Sequence, residues 1–102
     1  MTDSSFESLA DSLLKHLEEE IGKHAEADLQ GSVLTVQNAE IGVWLINKHA
    51  PTRQVWLSSP KSGARHYAFD ADSGQWQDTR GGAGLLSVLS AELGIELDWK
   101  PA

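Results

Sequence analysis

Residues 41–60 read IGVWLINKHAPTRQVWLSSP, two apolar runs joined by a polar stretch around Pro51. Successive side chains of a β-strand point to opposite faces. In QVWLS (54–58), Val55 and Leu57 therefore share one face, and Gln54, Trp56 and Ser58 share the other. The Val/Leu side is the natural core side, which leaves Trp56 among polar neighbours. The earlier run, VWLIN, is ambiguous, because Trp44/Ile46 and Val43/Leu45 are both apolar phases. If Trp44 and Ile46 are core, Asn47 joins Trp56 on the open face.

Working outward, ADLQ (27–30), SVLTVQ (32–37), RHYAF (65–69) and GQWQ (74–77) are further short β-rich runs. Turn material separates them: Gly31-Ser32, SPKSG from Ser59, and DADSG from Asp70. Connections this short favour an antiparallel meander. In RHYAF, Tyr67 and Phe69 form the core phase, and His66 points outward with Trp56.

Helical patterns flank the strands. Ser4 followed by Glu7 has the spacing of a capping box. Behind it Phe6, Leu9, Ala10, Leu13, Leu17 and Ile21 recur at three- and four-residue steps, one stripe of a helix that ends near Gly22 to His24. LLSVLSAEL (85–93) returns to helical spacing, with Gly94 placed as a terminating glycine. The order helix, strands, helix predicts a single domain over 1–102: an α+β two-layer sandwich with the N- and C-terminal helices packed on one face of an antiparallel β-sheet.

The 102 residues suit one modest core, and no apolar run approaches the ~20 residues of a membrane span. Without cysteine, disulfides and thiolate chemistry are excluded. The net charge of −7 is unevenly spread. Eight acids and two lysines lie between Asp3 and Asp28, whereas Ile41 to Phe69 holds four bases and no acid. A strongly acidic element argues against nucleic acid and anionic membranes, and for cations or basic protein surfaces.

On a helical wheel Asp3, Glu7, Asp11 and Glu18 fall in one arc, with Glu19 flanking it more loosely; Glu26 and Asp28 alternate outward on the next strand. Such a stripe of exposed carboxylates is either a shallow, weak site for hard cations or a solvated face. The four histidines form no H-x-x-x-H pair, and neither a G-x-S-x-G nor a P-loop is present. For Trp56 two readings stand: a loop or the tail covers it, or it is an exposed anchor of the kind found at interface hot spots.

The segment Ile46 to Gly63, I-N-K-x-x-P-x-x-Q-V-W-L-S-S-P-x-S-G, resembles the signature of the frataxin family, including its bacterial members (CyaY). SFESLAD, GSVLTV, GQW and LSAEL occur in the family's order, so the resemblance spans nearly the whole chain. It implies an iron-binding adaptor of iron–sulfur cluster assembly that docks on a cysteine desulfurase and an iron–sulfur scaffold protein and modulates sulfur transfer. By that resemblance Asp3, Glu7, Asp11, Glu18, Glu19, Glu26 and Asp28 form a ridge holding ferrous or ferric iron weakly. Asn47, Gln54, Trp56, Arg65 and His66 make the partner contact, with Trp56 covered by the partner. No catalytic residue is implied, and a non-enzymatic monomer is expected. The alternative is an iron chaperone or storage protein with ferroxidase activity.

Departures from the family pattern are His49 where glutamine is usual, and His66 at the outward basic position with Arg65 beside it, which weakens one cationic contact or makes it pH-dependent. Gly22 and Lys23 thin the far end of the ridge, and the tail after Gly94 is short, with Leu97 and Trp99 as its plugs. Starting at a methionine without a leader pattern, the chain suits a bacterial cytoplasm, with the mitochondrial matrix as the alternative.

Overall fold

Helix α1 (Asp3–Ile21) opens the chain, and α2 (Leu85–Leu93) comes near its end. Between them lie β1 (Glu26–Gln30), β2 (Val33–Asn38), β3 (Gly42–His49), β4 (Gln54–Ser59), β5 (Gly63–Asp70) and β6 (Gln75–Asp78). The structure is a computed structural model describing residues 2–101, with Asp3 described by its backbone alone. The strands form one sheet in chain order, every neighbouring pair antiparallel. Among the described residues no helix is long and apolar enough to cross a membrane.

Register decides the faces. Leu34, Ile46 and Leu57 lie opposite one another across β2, β3 and β4, beside the pairs Val36–Trp44 and Val55–Tyr67. All seven are at most 1% exposed, and they pack with Phe6, Ala10, Leu13, Leu14, Leu17 and Ile21 of α1 and Leu85, Leu86 and Leu89 of α2. Both helices therefore cover one side, as expected, and the ambiguous run resolves with Trp44 and Ile46 inward. Val43 and Leu45 are left 47% and 42% exposed on the other side.

The start of α1 differs from expectation. Thr2, not Ser4, is the N-cap: its Oγ1 accepts the Ser5 N–H at 3.1 Å, and its carbonyl accepts from Phe6. The cap thus lies two residues before the position given by the S-x-x-E spacing, and Ser4 and Glu7 lie inside the helix. At α2 the observed span matches the sequence pattern, and Gly94 closes it at φ 70°, a left-handed turn that favours glycine.

Glu92 clamps α2 to the sheet. Its Oε1 accepts the Trp44 indole N–H at 2.9 Å and the Ser59 hydroxyl, while Ser59 Oγ caps the Lys61 and Ser62 amides at 3.0 Å. Burial alone would raise the Glu92 pKa. Hydrogen bonds from Ser59 and Trp44, with Lys61 nearby, outweigh burial and hold it below its ordinary value. The serine of the S-S-P turn thus has a tertiary task.

The tail plugs the remaining gap. Trp99 is 4% exposed and meets Phe69 and Trp76 with ring centroids 6.2 Å away, while Ile95 and Leu97 are partly buried against the same core. Three elements pin it. His16 Nε2 of α1 donates to the Asp98 carbonyl (2.6 Å), Ser90 Oγ of α2 accepts the Leu97 amide (3.2 Å), and Gln75 Nε2 of β6 donates to the Trp99 carbonyl (3.2 Å).

Candidate functional site

The open side of the sheet carries the first surface. Trp56 lies opposite Asn47 of β3 and His66 of β5, and its indole N–H donates to Gln54 Oε1 at 2.9 Å. Two imidazoles sandwich it. His49 stacks on one face at 3.7 Å between ring centroids and His66 on the other at 4.2 Å, both within 11° of parallel. The cover foreseen for Trp56, a loop or the tail, is thus a pair of histidines, and the tail lies on the opposite side of the sheet.

The β3–β4 connection sets up this stack. Ala50–Thr52 make a single 3-10 turn, Thr52 Oγ1 holds His49 Nδ1 at 2.8 Å, and Arg53 at φ 53° swings the chain into β4. Both histidines stand at positions read in the sequence as departures from the pattern the resemblance implies. Beside the stack, Val33, Val43 and Leu45 stand exposed, and a shallow depression bounded by Val33, Leu45, Ala64 and Trp56 runs between them. This aliphatic patch was missed as a site feature. Its signal was the double apolar phase of VWLIN.

Arg65 does not join this face. It lies opposite Leu57, in the core phase, and its Nη1 bonds to the buried carboxylate of Asp78 at 3.1 Å. Asn47, Gln54, Trp56 and His66 do come together.

The acids form the second surface, and several of them are already engaged. Lys48, in the core phase at the end of β3, reaches α1 and places Nζ 2.9 Å from Asp11 Oδ1 and 3.4 Å from Glu7 Oε1. Its hydrogen bond to Asp11, partly opposed by burial, raises its pKa above the ordinary lysine value. The separation of acidic helix and basic strands is therefore incomplete: one base crosses over and occupies the i, i+4 carboxylate pair. Glu18 Oε2 accepts the Leu29 N–H at 2.9 Å and ties α1 to edge strand β1. Glu19 is exposed. Glu26 and Asp28 lie opposite Gln37 and Thr35 on the open face, so the acids wrap around the β1 edge; Asp28 accepts from Gln30 Nε2 at 2.8 Å. The Asp3 side chain lies outside the described residues. Hard oxygen donors are plentiful, yet among the described residues no three His or acidic groups converge to hold a metal ion. Such a surface fits loosely held, largely hydrated cations.

A frataxin-like domain model matches residues 1–98. Over 101 residues the chain is 39% identical to a mitochondrial frataxin homologue of Schizosaccharomyces pombe, covering 90% of this chain and 63% of that protein. It is 38% identical to an iron-sulfur cluster assembly protein, CyaY, of Psychromonas ingrahamii, covering 91% and 89% of the two chains. The chain thus spans less than two thirds of the yeast relative's length and nearly all of the bacterial one's. Among solved structures, a frataxin of Psychromonas ingrahamii superimposes with a TM-score of 0.80 at 35% identity, covering 91% of this chain and 89% of the other. A trimeric frataxin of Saccharomyces cerevisiae complexed with ferrous iron superimposes at 0.76 with 29% identity, covering 83% and 81%. With the meander, the two helices on one side and the domain match agreeing over almost every residue, this chain belongs to the frataxin family.

Proposed function

We propose that the chain is an iron-binding adaptor of iron–sulfur cluster assembly, which docks through its open sheet face on a cysteine desulfurase–scaffold complex and modulates sulfur transfer. One observation carries this reading above the others. Trp56 is presented on the uncovered side of the sheet, its N–H held by Gln54 and Asn47 opposite, next to exposed Val33 and Leu45, with exposed Val43 further along β3. A large aromatic beside an aliphatic patch is the composition of an interface centre. His66 extends that face, and Arg65, turned to the other side and paired with Asp78, contributes only where a partner wraps round the β5 edge. Asp3, Glu7, Asp11, Glu18, Glu19, Glu26 and Asp28 form the ridge that carries iron as cargo and offers a negative surface to basic partners. The bacterial relative's name supports the assembly role.

Calorimetry against a purified desulfurase–scaffold complex tests the reading. Trp56→Ala is expected to weaken binding by about 2 kcal/mol with the domain still folded. Wild type that does not bind, or an unchanged Trp56→Ala affinity, removes the open face as the docking surface.

The trimeric, ferrous-iron-complexed yeast neighbour favours a second reading, iron storage with ferroxidase activity. Iron-dependent oxygen uptake saturating at a fixed stoichiometry, together with iron-driven oligomers in sedimentation, marks that outcome.

A further inference from the structure

Strand β6 stops at Asp78, opposite Tyr67, so Gly63, Ala64 and Arg65 at the start of β5 have no strand on that side. The chain makes one more contact there, Thr79 N–H to the His66 carbonyl at 2.9 Å, and then turns away through Arg80 and Gly81. The result is a notch of about 460 Å³ lined by Ser62, Arg65, His66, Asp78, Thr79 and Arg80.

Donors and acceptors do not balance in it. Asp78, with its side chain only 3% exposed, is already engaged: Oδ2 takes Arg65 Nη1 at 3.1 Å, and Oδ1 takes the Arg80 backbone N–H at 2.7 Å. Arg65 Nε is buried and has no partner. With Nη1 committed to Asp78, the unengaged edge of the guanidinium is Nε–H/Nη2–H, two parallel donors spaced for two oxygens on one centre; Nε is the buried end of that edge, so an anion engages both only as the partly exposed side chain shifts to admit it. The Arg80 side chain is exposed, with no ion pair or hydrogen bond among the described residues. Gly82 closes against the Asp78–Arg65 pair, where an added Cβ would come within 2.8 Å of Oδ2 and 3.3 Å of Nη1. Two guanidiniums against one saturated carboxylate leave the notch locally positive on a chain of net charge −7. A buried cationic N–H without an acceptor is costly, and the missing partner is therefore an acceptor.

We propose that this notch binds a small oxyanion, a phosphate or carboxylate group, in the fork of Arg65 with Arg80 as the second cation. The site lies at the β5 edge, away from the acidic ridge; it shares Arg65 and His66 with the proposed docking surface, and because phosphate binding is read on the isolated chain, its failure and that of the docking role are distinguishable.

The test is a heteronuclear NMR titration of the whole chain with inorganic phosphate at pH 7, chloride being exchanged to hold the ionic strength fixed. Saturable shifts confined to Arg65 Nε–H and the amides of Ala64 and Thr79 to Gly82 are expected. Arg80→Ala, an exposed substitution that spares the Asp78 pair, should weaken binding about tenfold. Arg65→Lys keeps the charge beside Asp78 but loses the fork, and should weaken it at least as much. Acetate in place of phosphate separates the sources: equal affinity marks a carboxylate site, and much weaker acetate binding marks a doubly charged phosphate. Shifts that are linear, scattered over the surface, or unchanged in Arg80→Ala overturn the proposal.

Discussion

Trp44 and Trp56 lie on adjacent strands of one sheet, and each has its indole N–H bonded at 2.9 Å to a side-chain oxygen. The partner of Trp44 is Glu92, 48 residues away on the last helix; that of Trp56 is Gln54, two residues away on its own strand. Trp44 is therefore locked by tertiary structure on the covered face, and Trp56 is steadied locally on the bare one. A residue held by its neighbours in sequence can exchange its cover for another protein's without opening the core. Two identical side chains divide the labour between fold and surface.

That division can be broken experimentally. Trp44→Ala should lower the unfolding free energy by about 3–5 kcal/mol in urea denaturation, because it empties a buried site and strands Glu92. Trp56→Ala should lower it by only about 1 kcal/mol, the scale of its two ring stacks. Equal losses would show that the open-face tryptophan is as structural as the buried one.

Removing the carboxylate instead of the indole sharpens the contrast. Glu92→Leu should cost about 1–3 kcal/mol through the unpaired Trp44 and Ser59 donors. Since the folded pKa of Glu92 lies below the ordinary 4.5, its stabilisation is whole above pH 4.5 and is lost as pH falls through the lower folded value. The gap between wild type and Glu92→Gln should accordingly narrow in acid, as read from urea midpoints at pH 7 and pH 3.5.

On the acidic side, Lys48→Met keeps the packing of the aliphatic stem and releases Glu7 and Asp11. Stability should fall by about 1 kcal/mol or less, since both acids are largely exposed. Ferrous affinity of the ridge, followed by calorimetry under nitrogen, should rise several-fold, because the competing ammonium is gone. No rise would show that Glu7 and Asp11 take no part in holding iron. The smallest effect belongs to His49→Ala, about 0.5 kcal/mol, with increased acrylamide quenching relative to the same change in a Trp56→Phe background.

Much of this architecture was legible in the sequence. The period-two alternation in QVWLS put Trp56 on the open face, the three- and four-residue steps gave α1 its buried stripe, and α2 with Gly94 was readable residue by residue. What escaped depends on neighbours that no periodicity encodes. Leu14 was left off the buried stripe although it faces the core. Lys48 leaves its strand to meet α1 because a lysine stem is long enough to reach across. Glu18 serves a strand amide because an edge strand happens to lie beneath it. The histidine sandwich comes from diagonal contacts fixed by the register of three strands. Thr2 outcompeted Ser4 as cap because its hydroxyl and carbonyl both meet the first turn. Arg65, one residue from His66, was carried to the other face by the same alternation that placed Trp56.

The pinning of the tail has a consequence for how the molecule comes into being. The strands pair with their immediate successors and can zip together as they are made. Helix α1, synthesised before the strands, is covered early by β1 to β3, but its last seal, Trp99 and the His16–Asp98 bond, comes some eighty residues later. During synthesis on the ribosome that final seal must wait until the tail has emerged. Closure of so long a loop sets the pace of the last step. A chain stalled or clipped just short of Trp99 would present a nearly complete sheet with an unsealed seam, the form that chaperones and proteases are built to find.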